Sequence, residues 1–121
     1  LLSYNPCVEI TGTGFGWIQT ETGRFDHDIL ILPDGRVVNR YDLLQGSNHT
    51  FSPAELKTVL ADRRATVVVG TGQYGRVTVP VSTYRLARSR GVELHAAPTP
   101  DACPLFNRLP PPKCGMFHVT C

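Results

Sequence analysis

Nine residues constrain this chain more than any others: Val67-Val68-Val69-Gly70-Thr71-Gly72-Gln73-Tyr74-Gly75. They set G-x-G-x-x-G directly after a β-branched strand, the arrangement of a dinucleotide-binding turn. In such a turn the third glycine opens a helix whose N-terminal N–H groups face the pyrophosphate. Here Gly75 leads into Arg76-Val77-Thr78-Val79-Pro80, which alternates polar and apolar residues and favours a strand. Pro80 would break any helix running through it. Glu93 stands at the distance the pattern asks of its acidic residue, yet it falls inside the strand-like run of residues 91–95. The glycines therefore read as a tight strand-to-strand turn that needs positive φ. Neither a nicotinamide nor a flavin is expected, nor any other cofactor.

A chain of 121 residues is one domain, large enough to bury a core without staples. Its 41% hydrophobic and 18% charged residues exclude a disordered chain. The net charge of +2 argues against a protein that tracks nucleic-acid phosphates. No apolar run is long enough to span a bilayer, so membrane insertion is not expected and the location reads as cytoplasmic. Leu1-Leu2 does not open a signal peptide, and a start without Met leaves room for a trimmed leader. Cys7, Cys103, Cys114 and Cys121 show no C-x-x-C spacing, which excludes a zinc ribbon and makes reduced thiols the default.

Along the chain, residues 14–20 read as a strand whose glycines mark a bulge or a close backbone approach. A turn at Glu21-Thr22-Gly23 leads to a strand over residues 24–32. The second half of that strand is apolar on both faces and should be covered on both sides. Pro33-Asp34-Gly35 turns the chain into a third strand at residues 36–40. Ser52 as N-cap, Pro53 at N1 and Glu55 at N3 start a helix with a capping box, with Leu56, Val59 and Leu60 buried and an end near Asp62. A strand at 66–69, the glycine loop and a short β segment to Pro80 follow. A second helix is predicted over 82–90, stopped by Gly91, and a strand over 92–96. Thr99 caps a third helix to about residue 109, the prolines at 110–112 break it, and residues 116–120 alternate as a last strand. The order gives an α/β fold with a mixed sheet, in which strands 66–69 and 92–96 run parallel through a right-handed crossover.

Several motifs then stand in one order: Phe15-Gly16-Trp17-Ile18, Phe25-Asp26-His27-Asp28, Leu32-Pro33-Asp34-Gly35, Ser52-Pro53-x-Glu55-Leu56, the glycine run, Pro98-Thr99-Pro100 and His118-Val119-Thr120-Cys121. Together they resemble the MTH-type domain family of small conserved proteins. That family includes the adipogenesis-associated domain-containing protein of animals, and a related branch is a mitochondrial complex I assembly factor. The resemblance covers nearly the whole chain. It implies a three-layer fold, with a central mixed sheet, helices on one side and a β-hairpin layer on the other. It implies no reaction. Residues 108–115 depart from the pattern, since a proline-rich stretch stands where a helical continuation is expected.

For sites, Asp26 and Asp28 are two apart and would share a strand face, with His27 on the other. Asp28 borders the apolar run, and burial there would raise its pKa. His118 and Cys121 are spaced as H-x-x-C, but on a strand their faces oppose, which argues against a shared metal and against a Cys–His nucleophile pair. His49 reads as a structural hydrogen-bonding residue of its loop, and Arg85 and Arg88 as a solvated helix face. No catalytic set converges and no metal site is expected. The favoured reading is a non-enzymatic domain that binds or assembles protein partners. The alternative is a small-molecule site or enzyme beside the glycine turn, built from Asp28, Gly70, Thr71, Gly72 and Gln73 at one rim of the sheet, with backbone N–H groups forming an anion nest.

Overall fold

The computed structural model describes residues 8–121, so the readings made of Leu1-Leu2 and Cys7 lie outside the described residues. Among the described residues eight strands form two sheets, with three α-helices packed on them. Strands β1 (Ile10–Gly14), β2 (Trp17–Thr20) and β3 (Gly23–Phe25) make a small antiparallel meander. The central sheet holds β4 (Ile29–Ile31), β5 (Val37–Asn39), β6 (Thr66–Gly70), β7 (Leu94–Ala97) and β8 (Lys113–Phe117) in the order β5-β4-β8-β6-β7. β6 runs parallel to both β7 and β8, whereas β4 is antiparallel to β5 and β8, so the sheet is mixed.

Side-chain alternation along the inner strands builds two cores. Leu30, Val67, Val69 and Met116 point to one face and pack with Leu56, Val59 and Leu60 of α1 (Pro53–Leu60) and Ala87 of α2 (Val81–Ser89). Ile29, Ile31, Val68 and Phe117 point to the other, against Ile10 and Ile18 of the meander and Ala102, Cys103 and Phe106 of α3 (Thr99–Arg108). The layers are therefore α1 and α2, the five-stranded sheet, then the meander. The third helix shares the meander's face.

Several boundaries differ from the sequence reading, each for a physical reason. Phe15 and Gly16 form a hairpin turn, with Gly16 at φ 87°, so the strand expected over 14–20 is the last residue of β1, the turn and β2. The glycines before the turn make room for an indole: a Cβ on Gly14 would lie 2.5 Å from Trp17 Nε1. The expected strand over 24–32 breaks at Asp26-His27-Asp28, where the chain leaves the meander for the central sheet. Residues 76–79 form only an isolated bridge from Thr78 to Thr50. The last strand is β8 rather than residues 116–120, because from Val119 onward the backbone finds partners outside the ladder. Val119 N–H donates to Asp28 Oδ1 at 2.9 Å, and Val119 O accepts from Gly16 N–H at 2.7 Å. α3 ends at Arg108, and the proline-rich segment crosses directly to β8.

At the centre of the sheet Gly115 pairs with Ile31 on one side and Val68 on the other. A Cβ there would stand 2.5 Å from Val68 O and 2.9 Å from the Phe117 ring. Gly115→Ala should therefore cost about 1–3 kcal/mol through forced separation of packed strands. Urea denaturation measures it, and an unchanged midpoint would show that the strands part freely.

Candidate functional site

The local sequence folds one rim of the central sheet around a buried cation. Arg40 follows β5, opens a short 3-10 turn and is fully buried. Its Nε donates to Glu55 Oε2 at 2.6 Å and its Nη2 to Glu55 Oε1 at 2.9 Å. Its Nη1 reaches Asp28 Oδ2 and Asn48 O, both at 2.8 Å, and Nη2 also reaches Thr50 O at 3.4 Å. Five donors thus meet five acceptors, the condition under which a guanidinium can be buried. Burial opposes the charge, but Glu55 and then Asp28 outweigh it and raise the Arg40 pKa. Ser52 Oγ accepts Glu55 N–H at 3.1 Å, as a capping box requires. The box's second half is missing because the Glu55 carboxylate turns to Arg40.

Asp28 is 1% exposed and binds Arg40, Val119 N–H and His118, whose Nδ1 lies 2.7 Å from Asp28 Oδ2. Burial alone would raise its pKa, the direction expected from the sequence. The hydrogen bonds from His118, Val119 and Arg40 overcome it, and the net shift is downward. The carboxylate of Asp28 fixes the His118 ring through Nδ1, and the other ring nitrogen, Nε2, lies 2.9 Å from Thr120 Oγ1. Asp26, outside any strand, shares no face with Asp28: its side chain is 79% exposed and meets only Arg24 at 3.4 Å among the described ion pairs.

The register brings Asp28 and the glycine loop to the same rim. Ile29 and Gly70 both pair with Phe117 of the strand between them. The space between is filled: His118 N–H donates to Gly70 O at 3.0 Å, and Thr99 Oγ1 accepts Gly72 N–H and donates to His118 O. Thr99 is thus the first residue of α3 and a bridge, not its cap. Three further N–H groups of the loop are used internally, Thr71's by Ala97 O, Gln73's by Thr120 O at 2.6 Å and Gly75's by Gly72 O. Thr71 is buried, and Gln73 Nε2 donates to Thr13 Oγ1. With these donors used internally, the anion nest inferred from the sequence is not formed.

Because β8 stops at Phe117, strand parity does not apply to His118 and Cys121. The structure brings them together with His49, one potential ligand atom from each lying within 4.8 Å of the others. Cys121 Sγ is 3.6 Å from His49 Nε2, and the His49 and His118 rings meet edge to face at 5.5 Å. The sequence held the H-x-x-C signal, but only the end of the strand makes it usable. Cys103 and Cys114 are buried free thiols whose pKa values burial pushes up to about 12, so neither is a nucleophile.

This fold and rim define a class. The chain belongs to the protein family of unknown function DUF498/DUF598, whose model matches residues 10–110. A conserved hypothetical protein of Pyrococcus horikoshii is 30% identical with a TM-score of 0.79, over 93% of this chain and 99% of that one. A Bordetella pertussis protein described as an Mth938-like domain is 18% identical with a TM-score of 0.67, over 98% and 92%. A Bordetella parapertussis protein shares 21% identity with a TM-score of 0.76, over 97% and 99%. No curated protein matches. Among the described residues no helix is long and apolar enough to cross a membrane.

Removing Arg40 strands two buried carboxylates, so Arg40→Met should cost about 3–5 kcal/mol in chemical denaturation; a loss below about 1 kcal/mol would show that solvent reaches the pair. Asp28 also makes folding acid-sensitive. Its folded pKa lies below its unfolded value of about 3.9, so its stabilisation is full above that pH and is lost as pH falls through the folded value. Asp28→Asn should flatten that acid limb in a stability-versus-pH series, and an unchanged slope would place the sensitivity elsewhere.

Proposed function

We propose that this domain acts by holding another protein rather than by catalysis. The observation that carries the reading is an exposed aromatic pair. Phe15 is 59% exposed and Tyr74 71%, and their rings lie 6.0 Å apart. The backbone beside each is pinned, Gly16 N–H to Val119 O at 2.7 Å and Gln73 N–H to Thr120 O at 2.6 Å. Two large rings on a stiff rim lose little entropy on docking, and aromatic side chains dominate interface energetics. Two cavities of about 320 and 330 Å³ lie at the opposite rim where β6 and β8 begin, away from the His118 cluster. The family that the motifs resemble has a related branch described as an assembly factor, which favours the same reading.

A second reading keeps a small-molecule site bounded by Asp28, Gly70, Thr71, Gly72 and Gln73. One observation favours it: Thr120 Oγ1, His118 and Asp28 form a continuous hydrogen-bonded relay of the kind that activates a hydroxyl.

The interaction reading is tested with the tagged full chain expressed in its own host and followed by crosslinking and size-exclusion chromatography. Wild type should elute in a defined complex. The Phe15→Ala/Tyr74→Ala variant should bind that partner at least about 30-fold more weakly, equivalent to about 2 kcal/mol, with an unchanged melting temperature. Undiminished binding by the double variant would overturn the reading. So would turnover of a small molecule that depends on His118.

A further inference from the structure

We propose that His49, His118 and Cys121 form a binding site for a borderline-soft transition-metal dication of the zinc type, with the fourth position open to solvent. The inference goes beyond the interaction reading and stands on separate residues.

Three segments deliver the ligands. His49 lies in the loop before α1, with its backbone N–H on Ser47 Oγ at 3.0 Å and its carbonyl on Thr78 N–H at 2.8 Å. His118 follows β8, and Cys121 is fixed where its carbonyl accepts Arg76 N–H at 3.0 Å. Tetrahedral zinc, with bonds of about 2.0–2.1 Å to nitrogen and about 2.3 Å to sulfur, holds its ligand atoms about 3.3–3.6 Å from one another. The Cys121 Sγ to His49 Nε2 distance of 3.6 Å is already at that spacing. No pair of ligand atoms in the trio exceeds 4.8 Å, so closure is a side-chain adjustment of about an ångström.

The outer partners fit as well. Metal-bound histidines characteristically donate their other ring nitrogen to a carboxylate, which fixes the tautomer and sharpens the ligating lone pair. His118 is held in that way: Nδ1 is committed to buried Asp28 at 2.7 Å, and Nε2 meets Thr120 Oγ1 at 2.9 Å. The hydroxyl yields that lone pair when a cation arrives. The side chains of Asp28, Glu55 and Arg40 sum to one negative charge, and a dication bound to one thiolate carries one positive charge. The two balance across His118. Gly72 completes the geometry. A Cβ there would fall 2.6 Å from Cys121 O and 3.0 Å from His118 Cδ2, so only glycine lets the Cys121 backbone and the imidazole close on each other. The ligand types, two imidazoles and a thiolate, favour zinc over magnesium or calcium, which take oxygen.

Binding is a simple exchange. The hydrated dication loses waters, one bond forms to Cys121 Sγ and one to each imidazole, and the thiol proton passes to the buffer. His49 is exposed, and a water completes the tetrahedron.

The test uses the full chain, stripped with chelator and titrated with Co²⁺ as the spectroscopic probe, then with Zn²⁺ in competition. One Co²⁺ per chain should give tetrahedral visible bands and a thiolate charge-transfer band, both erased by Zn²⁺. His49 is exposed and Cys121 half-buried, so His49→Ala and the near-isosteric Cys121→Ser should keep the melting temperature of the metal-free chain, yet weaken binding at least 100-fold. Cys103→Ala should bind as wild type does. Asp28→Asn should weaken binding about 10–100-fold, read only where circular dichroism shows a folded chain. Absence of the charge-transfer band in wild type, or binding that survives both Cys121→Ser and His49→Ala, would overturn the proposal.

Discussion

A single guanidinium, buried without exposure, organises this molecule. Arg40 reaches from the end of β5 to the first turn of α1 through Glu55, to the entrance of β4 through Asp28, and to the intervening loop through the carbonyls of Asn48 and Thr50. An isolated ion pair of this kind adds little net stability against an apolar replacement. Its contribution is specification: three segments distant in sequence must arrive together for any of the three charges to be satisfied. No buried side-chain N or O among the described residues is left without a partner. The same carboxylate that accepts Arg40 also orients His118, so the geometry of the rim is inherited from the core beneath it.

Much of the scaffold was readable because local chemistry and tertiary demand agree. Ser52-Pro53 starts α1 where the cap chemistry says it should, and Gly91, at φ 68°, closes α2. The β-branched run of β6 and the two-faced apolar β4 take inner places, since neither tolerates an open face. β8 was misplaced because every residue from Lys113 to Phe117 is buried, which removes the alternation that identifies a strand. Residues 118–120 alternate without being in the sheet. β1 hid behind glycines selected for the bulk of Trp17 rather than for strand propensity.

The rim itself was half readable. The register joins Asp28 to the glycine loop, an inference available from strand direction alone. What lies between them was not, because it depends on where a neighbouring strand ends. Arg40 gave no sign: between Asn39 and Tyr41 it resembles a surface residue, and its one clue is the glutamate at the third helical position, which has two uses to choose between. His49, read as a loop hydrogen-bonding residue, does anchor its loop, but through its backbone. Its ring is left for the cysteine and histidine across the rim.

The position of β8 has a consequence for how the chain reaches this state. It is the last strand of the sheet in sequence and the middle strand in space, with β4 on one flank and β6 on the other. While the polypeptide is being synthesised, the earlier strands of this sheet have two native pairings open to them, β4 with β5 and β6 with β7. Each presents a bare edge of unpaired N–H and C=O groups, and each edge is apolar on both faces. Completion waits for β8 to thread between them, a pairing between residues far apart in the chain and therefore slow to find. The nascent domain is thus most open to wrong partners just before β8 emerges, and most in need of shelter during that interval.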